Sequence, residues 1–193
     1  MGDQADRPPG VSTPALILVR HGRPQVDPNI PPPEWGLSTE GRAAVGELAV
    51  KLSHLRPVAA VASHEPKAVE TAELLAAPVG LIVERDKAFD EHLRPAWPFS
   101  SDPASFAARV EQVLTTPAIS IDSAETGQAA AERFAAGLAR RTERPLLVVS
   151  HGTVLSLYLA EHAGFDAVAL WRSFGFPDAL VLDAQDRLIA RIS

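Results

Sequence analysis

Ala15-Leu16-Ile17-Leu18-Val19-Arg20-His21-Gly22 is an unbroken apolar run that stops at a cation, an imidazole and a glycine. A strand with one wet face alternates polar and apolar side chains, so a run without alternation reads as a strand buried on both faces of a sheet. The pattern returns late in the chain, where Leu146-Leu147-Val148-Val149 ends in Ser150-His151-Gly152. Two further strands are expected at 58–62 and 80–84, and a terminal hairpin at 179–182 and 188–192 around Asp183-Ala184-Gln185-Asp186.

Helical stretches separate these strands. Ser38 is placed to cap one, with Val45, Leu48, Ala49 and Leu52 on one face. Pro66 suits the first turn of a second that runs to about 77. A third is expected near 105–114. Asp122 and Glu125 have capping-box spacing before a fourth that ends near 141, and a fifth follows Gly152 to about 162. The Ala-rich face at 129–139, with Phe134, reads as core packing. Alternating strands and helices predict an α/β fold, a three-layer α/β/α sandwich around a largely parallel central sheet.

Gly2, Pro8, Pro9, Gly10 and Pro14 mark residues 1–14 as a flexible tail, which leaves 15–193 as a single domain. Pro95, Pro98, Pro103 and Pro117 weaken the periodicity between about 86 and 121, read as an insertion over the sheet. The chain has 193 residues, 46% apolar and 22% charged, with no apolar run long enough to span a bilayer. The N-terminal residues fit neither a secretory signal nor a transit peptide, so a cytoplasmic location is expected. With no cysteine, disulfides, thiolate metal sites and thiol nucleophiles are excluded. A net charge of −6 argues against a nucleic-acid footprint and leaves local basic clusters free to bind a small anion.

Ligands of open α/β sheets sit at the carboxyl ends of the strands, so His21 and His151 are expected to meet there. Gly22 and Gly152 would let backbone amides approach a ligand, and Arg20 offers a planar fork for phosphate oxygens. These features together point to phosphate.

The ordered set of Arg20-His21-Gly22, Leu37-Ser38-Thr39-Glu40-Gly41, the stretch from Ser63 to Ala72, Glu91 and His151-Gly152 resembles the histidine phosphatase, or phosphoglycerate mutase-like, superfamily. The resemblance implies that His21 is the nucleophile, attacking phosphorus through one ring nitrogen while the other is held by a backbone carbonyl. It implies that Arg20 and His151 hold the phosphoryl oxygens and that no metal or other cofactor is needed. A carboxyl group must also protonate the leaving oxygen and later activate water. Glu91 matches the family's acidic position best, with Asp90 and His92 as neighbouring alternatives.

The chain departs from the family at three places. Lys67 stands where a second phosphate-binding arginine is usual, which keeps the charge without the bidentate geometry. Asp27 replaces a common asparagine, and Arg23 is placed to supply compensating charge. Ser63-His64-Glu65 replaces Ser-Pro-Leu, with His64 either facing the pocket or simply exposed. Lys67, Gly22, Arg23, Asp27, Gly152 and Thr153 form the expected substrate-binding set. His54, His92 and His162 read as surface or structural, and Trp35, Trp97 and Trp171 as pocket rim or packing.

The expected activity is hydrolysis of a small phosphorylated substrate through phosphohistidine. The alternatives are a phosphoglycerate mutase-type transfer, or non-catalytic binding of a phospho-ligand. A metal hydrolase has little support, since no helix carries paired ligands at HExxH spacing. The expected partner is a small phosphorylated substrate or inorganic phosphate, with no nucleic acid and no membrane, and a homodimer is left open.

Overall fold

The computed structural model describes residues 13–97 and 102–193. Residues 1–12 of the expected tail, and Pro98 of the expected insertion, lie outside them. Six strands form one sheet: β1 (Leu16–Arg20), β2 (Ala59–Ala62), β3 (Val83–Arg85), β4 (Leu146–Ser150), β5 (Asp178–Leu182) and β6 (Leu188–Ile192). Their order is β3-β2-β4-β1-β5-β6, parallel from β3 to β1 and antiparallel for β5 and β6. Among the described residues the α-helices are α1 (Thr39–Leu52), α2 (Pro66–Ala76), α3 (Pro103–Thr115), α4 (Gly127–Ala139), α5 (Gly152–Ala163) and α6 (Ala167–Ser173), joined by four short 3-10 turns.

The apolar run of β1 feeds two cores at once. Leu16 and Leu18 pack with α3, α4, α5 and α6, whereas Ile17 and Val19 pack with α1 and α2. Strand β4 divides its side chains in the same way, Leu146 and Val148 to one core and Leu147 and Val149 to the other. Each such fully buried Leu, Ile or Val is worth ~1.5–3 kcal/mol in transfer free energy, which explains why both strands carry no polar residue until they end. The three-layer α/β/α sandwich with a mostly parallel sheet follows.

Two element boundaries differ from the expectation. The strand expected at 80–84 forms at Val83–Arg85, because Gly80 turns through φ +70° to close the preceding helix and Ile82 is 90% exposed. The expected capping box at Asp122 does not form. Asp122 and Ser123 take positive φ, the helix is capped by Thr126, whose hydroxyl accepts from the Ala129 amide, and Glu125 is drawn to Arg133. The short α6 had no expected counterpart; Asp166 caps it, accepting from the Ala169 amide.

Candidate active site

Strands β1 and β4 are parallel neighbours with Arg20 opposite Ser150, so the residues that follow each strand emerge side by side. The His21 amide donates to the Ser150 carbonyl at 3.0 Å, and the His21 and His151 rings lie 5.0 Å apart, centroid to centroid, at 65°. After His21 the chain continues to α1 on one face of the sheet, and after His151 to α5 on the other. That divergence opens a crevice at the strand ends.

The two imidazoles hold opposite tautomers. His21 Nδ1 lies 2.7 Å from the Gly22 carbonyl oxygen, which can only accept, so Nδ1 carries the proton and Nε2 keeps its lone pair. Burial, aided by His151, Lys67 and Arg20, holds the His21 pKa well below 6.5, so the ring is neutral. His151 is bound through Nε2, 2.8 Å from Ser63 Oγ. The Ser63 hydroxyl gives its one proton to Asp90 Oδ1 at 2.9 Å, so it accepts from His151 Nε2–H and from the Glu65 amide. Burial, with Lys67, Arg94 and Arg20 adding to it against Glu91, pushes the His151 pKa down to about 3.

Three cations surround the pair. Arg20 donates Nη1 to the Phe174 carbonyl at 3.0 Å and stacks with its Cζ 3.5 Å from the Phe176 ring centroid, while its buried Nε has no partner. Burial lowers its pKa to about 10, opposed by Glu91 and Asp178, and it stays charged at neutral pH. Lys67, 6% exposed in the first turn of α2, donates Nζ to the Pro32 carbonyl at 2.9 Å and is ion-paired with Glu65. Arg94 lies 3.8 Å from Glu91 Oε2 and also keeps a buried, unpartnered Nη1. Buried donors without partners are rare in folded proteins, and two of them beside a pair of neutral imidazoles suit an incoming anion. Arg23 is exposed at the rim, its Cζ 5.9 Å from the Phe176 centroid.

The acids divide by environment. Glu91 caps the start of α5: Oε1 accepts from the His92 and Val154 amides at 2.9 and 3.0 Å, and Oε2 faces the Thr153 amide at 3.4 Å. Burial opposes its ionisation, but Arg94, His151 and these amides outweigh it and hold the carboxyl well below the usual range. Glu65 is raised above the ordinary carboxylate value, by burial against the pull of Lys67. The loop that carries Asp90 and Glu91 is clamped by Arg133 of α4, whose guanidinium donates to the carbonyls of Lys87, Ala88, Asp90 and Glu91 and pairs with both oxygens of Glu125. Ser150 Oγ ties the same loop to β4 through the Phe89 carbonyl at 2.7 Å.

The structure brings Arg20, His21, Lys67, Glu91 and His151 together, and places the other expected residues differently. The Gly22 amide donates to Thr71 Oγ1 at 3.0 Å rather than facing the crevice. A side chain at Gly22 would stand 2.7 Å from Val45 Cγ2, so this glycine admits α1. Gly152 instead makes room for Arg20, whose Nε would be 3.1 Å from an added Cβ. Thr153 is buried with its amide turned to Glu91. Asp27 closes a local turn, accepting from the amide and side chain of Asn29, which turns its charge to the loop. His64 is exposed, with Nδ1 3.6 Å from Asp90 Oδ1, and His54 and His162 are exposed. His92 is structural, its Nε2 2.6 Å from the Glu125 carbonyl. Trp97 and Trp171 pack against the larger core.

Ser63, Glu65, Arg133 and Phe176 were not assigned roles from sequence. For Ser63 and Glu65 the signal was the Ser63-His64-Glu65 substitution itself, read there through its histidine. Arg133 and Phe176 sit in stretches without a motif, and only packing reveals them.

The model of the histidine phosphatase superfamily (branch 1) matches residues 16–181. No curated relative matches the chain in sequence. Among solved structures, a mycobacterial glucosyl-3-phosphoglycerate phosphatase complexed with VO3 superposes with a TM-score of 0.64 at 22% identity, covering 86% of this chain and 92% of that one. The alpha-ribazole phosphatase of Shigella flexneri gives 0.66 at 22% identity, over 88% and 91% of the two chains. YhfR of Bacillus stearothermophilus gives 0.67 at 19% identity, over 90% and 93%. At these identities the neighbours speak for the fold, and the family model, spanning both strand-His-Gly corners and everything between them, speaks for the lineage: the chain belongs to the histidine phosphatase superfamily.

Proposed function

We propose that the protein hydrolyses a small phosphomonoester through a phosphohistidine on His21, without a metal ion. The observation that carries this reading is the His21 Nδ1 bond to the Gly22 carbonyl, which leaves Nε2 unprotonated beside the unpartnered Nε of Arg20. A neutral imidazole with a fixed tautomer is a nucleophile that needs no deprotonation. The phosphoryl charge meets Arg20, Lys67 and Arg94, which supply the electrostatic stabilisation that phosphoryl transfer chiefly requires. Among the described residues no group of three or more His, Cys, Asp or Glu is arranged to hold a metal ion.

Attack of Nε2 on phosphorus forms the N–P bond as the P–O bond to the leaving group breaks, with a carboxyl group protonating the departing oxygen. Water then attacks phosphorus, giving its proton to the same carboxylate, and the N–P electron pair returns to His21. Superfamily membership and the two phosphatase-named neighbours support hydrolysis.

The test is a reaction with an aryl phosphate in chelator, quenched in alkaline denaturant to preserve the acid-labile N–P bond, with mass spectrometry of the His21 peptide and parallel assay of phenol release. An adduct on His21 with steady turnover is expected. Transfer of the phosphoryl group to a sugar acid rather than to water would favour the mutase reading. Phosphate binding with neither adduct nor turnover would make the protein a phospho-ligand binder.

A further inference from the structure

Two of the three Lys67 Nζ protons are committed, to the Pro32 carbonyl and to Glu65. A two-point grip on a phosphoryl group therefore falls to a guanidinium, and Arg20 is the one that adjoins His21. Its Nη1 is bound to the Phe174 carbonyl at 3.0 Å. The edge formed by Nε and Nη2 stays open: Nε is buried without a partner, and Nη2 makes no hydrogen bond to the described residues. Gly152 keeps that edge clear, since an added Cβ would stand 3.1 Å from Nε. A single hydrogen bond leaves a guanidinium free to turn, and a fork that turns loses its second oxygen. The Arg20 Cζ, however, sits over the Phe176 ring, 3.5 Å from its centroid, against 5.9 Å for Phe174. The same Phe176 ring lies 5.4 Å from the His21 imidazole, centroid to centroid, at 45°.

We propose, resting on the phosphatase reading, that Phe176 is a positioning residue: its ring holds the Arg20 guanidinium in the plane from which Nε and Nη2 grip two phosphoryl oxygens beside His21. The face of an aromatic ring attracts a cation through its quadrupole and takes up none of the in-plane N–H donors, so the stack orients Arg20 without consuming its fork. Phe176 is fixed in turn from the edge of the sheet. The Gly175 amide donates to Asp178 Oδ2 at 3.0 Å, and the buried Asp178 is paired with Arg191 of β6. Arg191 also donates Nη1 to the Ser173 hydroxyl at 2.8 Å and Nη2 to the Ser173 carbonyl at 2.7 Å. These bonds tie down both ends of the segment 173–178 that carries Phe176. The antiparallel hairpin β5–β6 thereby acts on the crevice at the end of β1, through a residue that itself touches no proton of the reaction.

The experiment measures kcat and KM on an aryl phosphate, and the Kd of inorganic phosphate, for six chains: unmodified, Phe176→Leu, Phe176→Met, Phe176→Tyr, Arg20→Lys, and Arg20→Lys combined with Phe176→Leu. Phe176→Leu and Phe176→Met keep an apolar side chain and lose the ring. Each is expected to weaken phosphate binding and lower kcat/KM about tenfold, with an unfolding midpoint close to that of the unmodified chain. Phe176→Tyr keeps the ring and is expected to stay within about twofold. An ammonium has no plane to hold, so in the Arg20→Lys background loss of the ring is expected to cost less than about twofold. Equal losses from removing the ring in both backgrounds, or unchanged affinity and kinetics in Phe176→Leu and Phe176→Met, overturn the assignment and leave the phosphatase reading intact. If the unmodified chain binds phosphate without turnover, the phosphatase reading falls, and the same comparison made on phosphate affinity alone upholds or overturns the role of Phe176. Failure of the unmodified chain to bind phosphate or turn over the ester overturns both.

Discussion

The corners at Arg20-His21-Gly22 and Ser150-His151-Gly152 look alike in sequence and sit side by side in space, yet they have different chemistry. At the first, the imidazole satisfies Nδ1 locally, on the carbonyl of the next residue, and leaves Nε2 bare. At the second, the ring satisfies Nε2 through Ser63, a residue on another strand's end, and is fixed by a relay that runs on to Asp90. In the reading proposed above the first ring is the nucleophile, and the second, its one proton given to Ser63, is a fixed neighbour of it. A histidine's role is set by which nitrogen its neighbours occupy, and a shared tripeptide does not carry that information.

The sharpest way to break this comparison is to remove each ring in turn. His21→Ala is expected to lose ~10⁴-fold or more in phosphatase activity and to form no phosphoryl adduct, because the nucleophile is gone. His151→Asn is expected to lose ~10²–10³-fold and still yield an adduct on His21 in an alkaline quench, because the ring held beside the nucleophile is lost while the nucleophile is kept. If the adduct vanished in His151→Asn and persisted in His21→Ala, the two roles would be exchanged.

Ser63→Ala cuts the relay on one side only. It strands His151 Nε2–H and the Glu65 amide in a buried site, for a stability cost of ~1–3 kcal/mol and a loss of activity of about tenfold, measurable by urea unfolding and steady-state kinetics. The His21 tautomer does not depend on Ser63, so adduct formation should survive.

The paired glycines separate packing from ligand binding. Gly22→Ala would drive a methyl to 2.7 Å from Val45 Cγ2 and 3.1 Å from the Gly41 carbonyl, so ~1–3 kcal/mol of stability should be lost. At Gly152 the nearest atoms belong to the Arg20 guanidinium, at 3.1 and 3.3 Å. Gly152→Ala should therefore weaken phosphate affinity more than it lowers the unfolding midpoint, and a larger stability loss than that of Gly22→Ala would contradict this placement.

Acid reaches both corners at once, through stability. Both imidazoles have folded pKa values below the 6.5 of the unfolded chain, so below that pH the unfolded state binds more protons and stability falls as pH falls. The slope contributed by each ring is at most ~1.4 kcal/mol per pH unit, and for His151 it runs from about 6.5 down to about 3. Glu91, with a depressed carboxyl pKa, adds a further loss beginning near its unfolded value of 4.5. Chemical unfolding at a series of pH values should show His151→Asn with a shallower slope between 6.5 and 4.5; an unchanged slope would mean that the ring titrates normally.

Much of this could be read along the chain. The unbroken runs at 15–19 and 146–149 have no wet face, and only a sheet covered on both sides accommodates them. The strand boundary at 80–84 was misplaced because Gly80, Leu81 and Ile82 look like sheet by composition, whereas the φ +70° turn at Gly80 consumes them. The capping pair at Asp122 and Glu125 failed for a related reason: a carboxylate that can cap a helix can equally be claimed by an arginine, and Arg133 claims Glu125 in the fold.

By itself the sequence determined the α/β alternation and the two strand-His-Gly corners, because each is a local pattern whose physical meaning survives without its neighbours, whereas Lys67 entered only through the family resemblance. Tertiary structure alone decided which nitrogen of each histidine is free, that Gly22 and Gly152 yield space to a helix and an arginine, and that Glu91 accepts from amides while Glu65 faces His151. Proton placement and carboxyl environment depend on atoms contributed by elements far apart in the chain, and those meet only when β4 inserts beside β1.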